Sequence, residues 1–249
     1  MELRNPKASF DECYNLDSPK LYVSTLLKEK NYRLPFDAME LLDGYLKKLA
    51  NSETWETVFF GSGYGLDVTA LKYGYTSQDI LDEWLDEKPI KKFKADNSRF
   101  KITLVDINKA PLNFAHEIGL CDRFFVCDLK EQWPEELFSI LKNETKLLIC
   151  VGATTYIGIN RFNYIVNFVE TSKIEYFCFS LPSFIENSYL QVFSKSKLHL
   201  QKLGDVRQRD YKDNEERLRI IHSLNLQNRY SPKDDNGLIA SIYIASKTL

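Results

Sequence analysis

The segment Val58-Phe59-Phe60-Gly61-Ser62-Gly63-Tyr64-Gly65-Leu66 is where chemistry is easiest to place in this chain. A short apolar run enters a glycine-rich turn, and a helical pattern begins near Leu66. Glycine suits such a turn for two reasons. The backbone can take angles closed to other residues, and a ligand can approach the main chain without meeting a Cβ. The same spacing also serves plain packing of a strand on a helix, so further residues must decide. Asp106 ends the apolar run 101–105, where a carboxylate can accept both hydrogen bonds of a ribose diol. Asp128 follows 123–127, where an acid or its neighbouring backbone can meet an adenine amino group. Gly152 follows 147–151 and keeps the backbone close to a reacting centre. In open α/β sheets, ligands bind outside the carboxyl ends of the strands at the switch point. Taken singly, each Asp is a common turn-former or helix cap. In this order the four strand ends read as a nucleoside site.

The elements that must hold these residues alternate. Strands are expected at 57–60, 101–105, 123–127, 147–151, 174–180 and 238–245, with helices at about 65–86, 109–119, 134–142, 160–171 and 212–224. Nearly continuous apolar strands between helices predict a mostly parallel sheet covered on both faces. Before them, Asp17-Ser18-Pro19 and Pro35 mark two helix starts. Residues 1–50 are therefore expected to form an N-terminal helical cap, and 51–249 one compact core. The basic stretch 88–97 reads as a solvated loop, with contact to an anionic partner as its alternative.

Composition narrows the classes. The chain has 249 residues, 44% hydrophobic and 27% charged, ordinary values for a globular protein. With 33 basic against 35 acidic residues, the net charge of −2 speaks against a broad nucleic-acid or anionic-membrane surface. The start has no apolar stretch of the secretory kind, and no window has the roughly 18 apolar residues that span a bilayer. The expected location is cytoplasmic. The five cysteines, Cys13, Cys121, Cys127, Cys150 and Cys178, are scattered without a CxxC or nearby His. Reduced, buried thiols are expected, with no metal site.

From about Thr57 to Glu170 the chain resembles class I S-adenosylmethionine-dependent methyltransferases. GSGYG is similar to the family's glycine motif, LVDIN to its second acidic motif, FVCDL to its adenine-side motif and LLICVGATTYIG to its fourth-strand motif. The stretches SPKLYVSTLLKEKNYRLP and VRQRDYKDNEE extend the likeness to a less well-described, small-molecule subset. The resemblance implies a Rossmann-like, mostly parallel seven-stranded sheet with S-adenosyl-L-methionine as cofactor. It implies cofactor contacts from Gly61, Ser62, Gly63, Gly65, Asp106, Ile107, Asp128, Leu129, Val151 and Gly152, with Tyr22 reaching in from the cap. One position departs. The family usually carries Asp or Glu two residues before the first glycine, where it helps hold the methionine amino end. Here that residue is Phe59. Binding of that end must then rely on the turn backbone and on cap groups such as Tyr14, Tyr22, Tyr32 or Arg33.

The acceptor is approached by exclusion. The fourth strand lacks an (Asp/Asn)-Pro-Pro-aromatic motif, there is no Pro-Cys nucleophile, and no Asp-Asp-Asn arrangement suggests a catechol-type magnesium site. A small-molecule acceptor, methylated at O or N, remains. Tyr156 is the expected catalytic side chain, with Asn160, Arg161, Glu186, Asn187 and Tyr189 nearby in sequence. His116, His199 and His222 read as packed or surface residues. The run 207–216 either pairs internally on a helix face or offers Arg207 and Arg209 to a carboxylate substrate. Two alternatives stand beside this reading. A nicotinamide-dependent oxidoreductase usually has its acid about 20 residues beyond the turn, much nearer than Asp106. A non-catalytic methyltransferase-like binding protein is the class that Phe59 favours.

Overall fold

Apolar runs too short for helices and bounded by glycine or aspartate become interior strands here. In the computed structural model, which describes residues 8–49, 53–86, 90–93 and 100–247, they form one seven-stranded sheet. The strands are β1 (Trp55–Phe60), β2 (Phe100–Asp106), β3 (Arg123–Val126), β4 (Leu147–Cys150), β5 (Tyr176–Pro182), β6 (His199–Arg209) and β7 (Leu238–Ser246). Their order is β3-β2-β1-β4-β5-β7-β6. The first five run parallel, and β7 lies antiparallel between β5 and β6. The order reverses at β1, whose neighbours are β2 and β4, so the carboxyl ends of these three strands form the switch point.

Ten α-helices accompany the sheet among the described residues. The short α1 (Lys20–Tyr22) runs on into a π-helical stretch, Val23–Glu29. After it come α2 (Leu34–Leu46), α3 (Leu66–Tyr73), α4 (Ser77–Trp84) and α5 (Lys109–Glu117). The later helices are α6 (Glu135–Asn143), α7 (Thr154–Ile157), α8 (Ile159–Thr171), α9 (Glu186–Leu190) and α10 (Asn214–Leu226). Two apolar cores lie on opposite faces of the sheet. One gathers Leu42, Val68, Trp84 and Leu112 from α2, α3, α4 and α5 around Phe59, Leu104 and Ile149. The other gathers Leu137, Ile140, Phe162 and Ile165 from α6 and α8 around Val58, Val105 and Leu148. Alternate residues of one strand thus feed different cores, as the strand period requires.

Several expectations change in detail. The single helix expected at 65–86 is two, because Gly74 takes a left-handed φ of +68° and Thr76 starts α4 with a capping box to Asp79. The strand β6 falls where no strand was expected, and it carries Arg207 and Arg209. The expected cap at 1–50 divides in function. Leu34 to Leu46 packs as α2 in the first core, and the preceding strap, 8–33, packs there too through Phe10, Val23 and Leu26 while bringing Asp11 and Tyr14 to the strand ends. Of the basic stretch 88–97, residues 90–93 are described, and Phe93 packs on Tyr73 with ring centroids 4.5 Å apart. The rest of that stretch lies outside the described residues. Among the described residues, no helix is long and apolar enough to cross a membrane.

Candidate functional site

The glycine turn leaves β1 and is tied at once to β2. The Gly61 N–H donates to Val105 O at 2.8 Å, and the Gly63 N–H donates to Asp106 Oδ2 at 2.8 Å. Gly61 has φ +68°, and a Cβ there would stand 2.3 Å from the Ala153 side chain. Only glycine satisfies both constraints. Gly65, expected to touch the cofactor, has a packing role in the turn. It caps α3 in the left-handed conformation, and a Cβ on it would meet Leu120 at 3.0 Å. Ser62 is buried, and its Oγ has no hydrogen-bond partner among the described residues.

Asp106 is buried, and its other oxygen accepts from the Asn108 N–H at 2.9 Å. Burial raises its pKa, and the N–H groups of Asn108, Gly63 and Ile107 oppose that shift. Each carboxylate oxygen can accept more than one hydrogen bond, so both keep capacity toward a ligand. Asp128 accepts from the Lys130 N–H at 2.9 Å and so shapes the turn after β3. At the end of β4, the Gly152 N–H donates to Ser180 Oγ at 2.8 Å.

A cavity opens at these strand ends. Gly61, Asp106, Ile107, Asp128, Leu129, Gly152 and Tyr156 line it, so seven of the twelve expected site residues come together. Asp11, Tyr14, Asn108, Cys127, Lys130, Ala153 and Ile157 complete the lining. Adjacency to the motifs could have found five of these, Asn108, Cys127, Lys130, Ala153 and Ile157. Asp11 had no such signal, and Tyr14 was named only as a cap group. Ser62, Gly63, Gly65, Val151 and Tyr22 do not line the cavity. Tyr22 is buried behind Tyr14, with ring centroids 4.8 Å apart, because the strap puts Tyr14 first over the turn. Tyr156 is 44% exposed at the mouth. Desolvation of its phenol, then the nearby Asp11 carboxylate, raises its pKa, so at neutral pH it is a hydrogen-bonding hydroxyl and not a base.

The other candidates are engaged elsewhere. Arg161 donates to Leu129 O at 2.7 Å and stacks its guanidinium over Tyr164. Glu186 takes hydrogen bonds from Tyr243 and Arg229, Asn187 accepts from Arg229, and Tyr189 donates to Thr154 O. Arg209 and Glu216 form a buried bidentate pair at 2.9 and 2.6 Å, and Arg207 pairs with Asp210. The run 207–216 therefore pairs internally, though from strand to helix and not along one helix face. The three histidines are exposed. All five cysteines are free and buried. Among the described residues, no three His, Cys, Asp or Glu side chains are grouped to hold a metal ion.

A parallel five-stranded run, an antiparallel final pair, a glycine turn after β1 and an acid ending β2 now stand in one arrangement. The chain has a Rossmann-like α/β fold. No family model matches it, and no curated protein matches its sequence. Solved structures similar to it include magnesium protoporphyrin IX methyltransferase from Synechocystis PCC 6803 with bound SAM, at 9% identity and a TM-score of 0.49, covering 85% of this chain and 79% of that one. A cyclopropane-fatty-acyl-phospholipid synthase-like protein from Lactobacillus casei ATCC 334 is 11% identical with a TM-score of 0.49, over 90% of this chain and 97% of that one. A TehB-like SAM-dependent methyltransferase from Corynebacterium glutamicum ATCC 13032 is 10% identical with a TM-score of 0.45, over 84% and 86%. Likenesses at these identities concern architecture alone. At the end of β1, where the resemblance leads one to expect an acid, stands the apolar and buried Phe59.

Proposed function

We propose that this chain is an S-adenosylmethionine-dependent methyltransferase acting on a small molecule at O or N. The observation that carries the reading is Asp106, whose buried carboxylate is fixed by the Gly63 N–H at the edge of a cavity lined by the ends of β1, β2 and β4. The donor and acceptor set suits the cofactor. Asp106 offers acceptor capacity for a ribose diol, the partnerless Ser62 Oγ lies in the turn, and Asp128 and Leu129 flank the place for an adenine. The cavity is about 240 Å³, below the roughly 300–1,000 Å³ usual for ligand pockets. Asp11 and Tyr14 of the strap form part of its wall.

When bound, the cofactor supplies an electrophilic methyl group on a sulfonium. The protein's part is then to hold an acceptor close to that methyl and in line with it, which can supply most of the acceleration. Tyr156 and the Gly152 turn are placed for that task, with the phenol donating to or accepting from the acceptor. Closure of the strap would keep water from the reaction.

Thermal unfolding with S-adenosylhomocysteine and with NADH tests the proposal. A ligand bound only by the native state raises the melting temperature by mass action. The expected result is a shift with S-adenosylhomocysteine and none with NADH. The opposite pattern would sink the methyltransferase reading in favour of an oxidoreductase.

A further inference from the structure

Three carboxylates and one cation line the cavity among the described residues, and two of the carboxylates are already engaged. Asp106 accepts from the Gly63 and Asn108 N–H groups, and Asp128 shapes the turn after β3. The third is Asp11, which opens a short 3-10 turn of the strap, Asp11–Cys13. Its main-chain N–H donates to Ser9 Oγ, but among the described residues its carboxylate has no hydrogen-bond or ion-pair partner. The basic side chains that reach this part of the strap are committed, Lys212 to the Ser9 carbonyl and Glu12, and Arg209 to Glu216.

The cation of the cavity, Lys130, belongs to its other end. Lys130 follows β3 and Tyr156 follows β4, and the order β3-β2-β1-β4 puts three strand spacings, about 14 Å, between those strand ends. Lys130 also lines a neighbouring groove with Glu131 and Glu135. On the Asp11 side the wall is phenolic. The Tyr14 N–H donates to Asp11 O at 3.1 Å, and side chains three apart in a 3-10 turn lie one above the other. Tyr14 Cε1 stands 3.7 Å from where a Cβ on Gly63 would be, which fixes this end of the strap over the glycine turn. Tyr156 faces the same cavity, and burial followed by the Asp11 carboxylate raises its phenol. An unpartnered carboxylate with two phenols on one cavity wall is complementary to a small cation, through the charge, the hydroxyls and the ring faces.

We propose that the methyl acceptor is an amine that enters as an ammonium ion, and that Asp11, with Tyr14 and Tyr156, selects it over a neutral hydroxyl acceptor. The proposal rests on the methyltransferase reading and narrows its O or N to N. The ammonium passes one proton to water by way of the Asp11 carboxylate. The freed nitrogen lone pair then forms the N–C bond to the methyl group as the C–S bond breaks, whose electron pair stays on sulfur.

Calorimetric titration of the S-adenosylhomocysteine complex with isosteric pairs tests this, butylamine against butanol and benzylamine against benzyl alcohol. The amines are expected to bind about 10-fold more tightly than the alcohols, the low end for a charged hydrogen bond because Asp11 is exposed. Asp11→Asn should abolish that preference and leave affinity for S-adenosylhomocysteine unchanged. The wild-type preference is readable even if the variant folds poorly. Alcohols that bind as well as amines, or no binding of either, overturn the amine assignment while leaving the cofactor reading intact. A variant that keeps the preference, or that loses S-adenosylhomocysteine as much as it loses amines, removes Asp11 from the acceptor side. Failure of the wild type to bind S-adenosylhomocysteine overturns both readings.

Discussion

Asp106→Ala separates the two tasks that the structure gives this carboxylate. Its oxygens accept from Gly63 N at 2.8 Å and Asn108 N at 2.9 Å, which fixes the glycine turn against β2. A hydrogen bond to a charged group is worth about 1.5–3 kcal/mol, and the Gly63 N–H sits where water cannot readily replace the lost partner. The Asn108 N–H is less enclosed and regains water. Removing the carboxyl also relieves the desolvation that raises its pKa. The net expected loss of fold stability is about 1–3 kcal/mol, read as a lower urea midpoint at constant slope. Affinity for S-adenosylhomocysteine should fall as well, by about 1.5–3 kcal/mol, because two ribose hydroxyls lose a charged acceptor. A variant that loses stability elsewhere, such as Ile140→Val in the opposite core, should keep full affinity. If Asp106→Ala is destabilised yet binds S-adenosylhomocysteine as the wild type does, the carboxylate is a turn brace and the ribose role is refuted.

Tyr156→Phe should lower turnover on an acceptor found by screening and leave cofactor affinity intact; wild-type turnover would remove the hydroxyl from the mechanism. Asp67 should make the unliganded fold less stable as pH rises. Its folded pKa of about 7 lies above the ordinary 3.8, so the native state holds the extra proton between these values. Stability is then full near pH 4 and falls by up to about 4 kcal/mol on the way to pH 7, and Asp67→Asn should flatten that slope in urea titrations across the range. Arg209→Met strands the buried Glu216 and should cost about 3–5 kcal/mol, most of it recovered on adding Glu216→Leu; a loss below 1 kcal/mol would mean the pair is far wetter than its burial indicates.

The strands β1 to β4 were legible because each is an apolar run that stops at a glycine or aspartate, and those stops line the cavity. The edge strand β6 was not. Its sequence, HLQKLGDVRQR, faces solvent along much of its length, and register shifts at Lys202/Gly204 and Arg207/Arg209 break the alternation a reader looks for. Apolar spacing also showed which face of α2 is buried but not against what, so a helix of the main layer read as part of a cap. For the same reason, the sequence does not reveal that Tyr14 lines the cavity and stands in front of Tyr22. Asp67 reads in sequence as an ordinary acid in a first helical turn, where the helix dipole favours it. In the fold it is buried, and that takes it out of water.

Besides the Tyr64 hydroxyl, which donates to Leu16 O, the strap is fastened to the far end of the chain. Arg33 N donates to Gln208 O, Asp210 N donates to Lys30 O, and Ala8 N donates to Glu216 Oε1 across 208 positions. Phe10 lies under the guanidinium of Arg209. During synthesis the glycine turn, Asp106 and Asp128 emerge well before any of these anchors. The nucleoside-facing floor can therefore assemble while the first thirty-odd residues still lack their fastening, and contacts of such long range form slowly. A nascent chain released before residue 216 would carry its binding motifs but leave its tyrosines open to water. Fastening of the strap to β6 and α10 is thus a late event of folding, set by the last elements made.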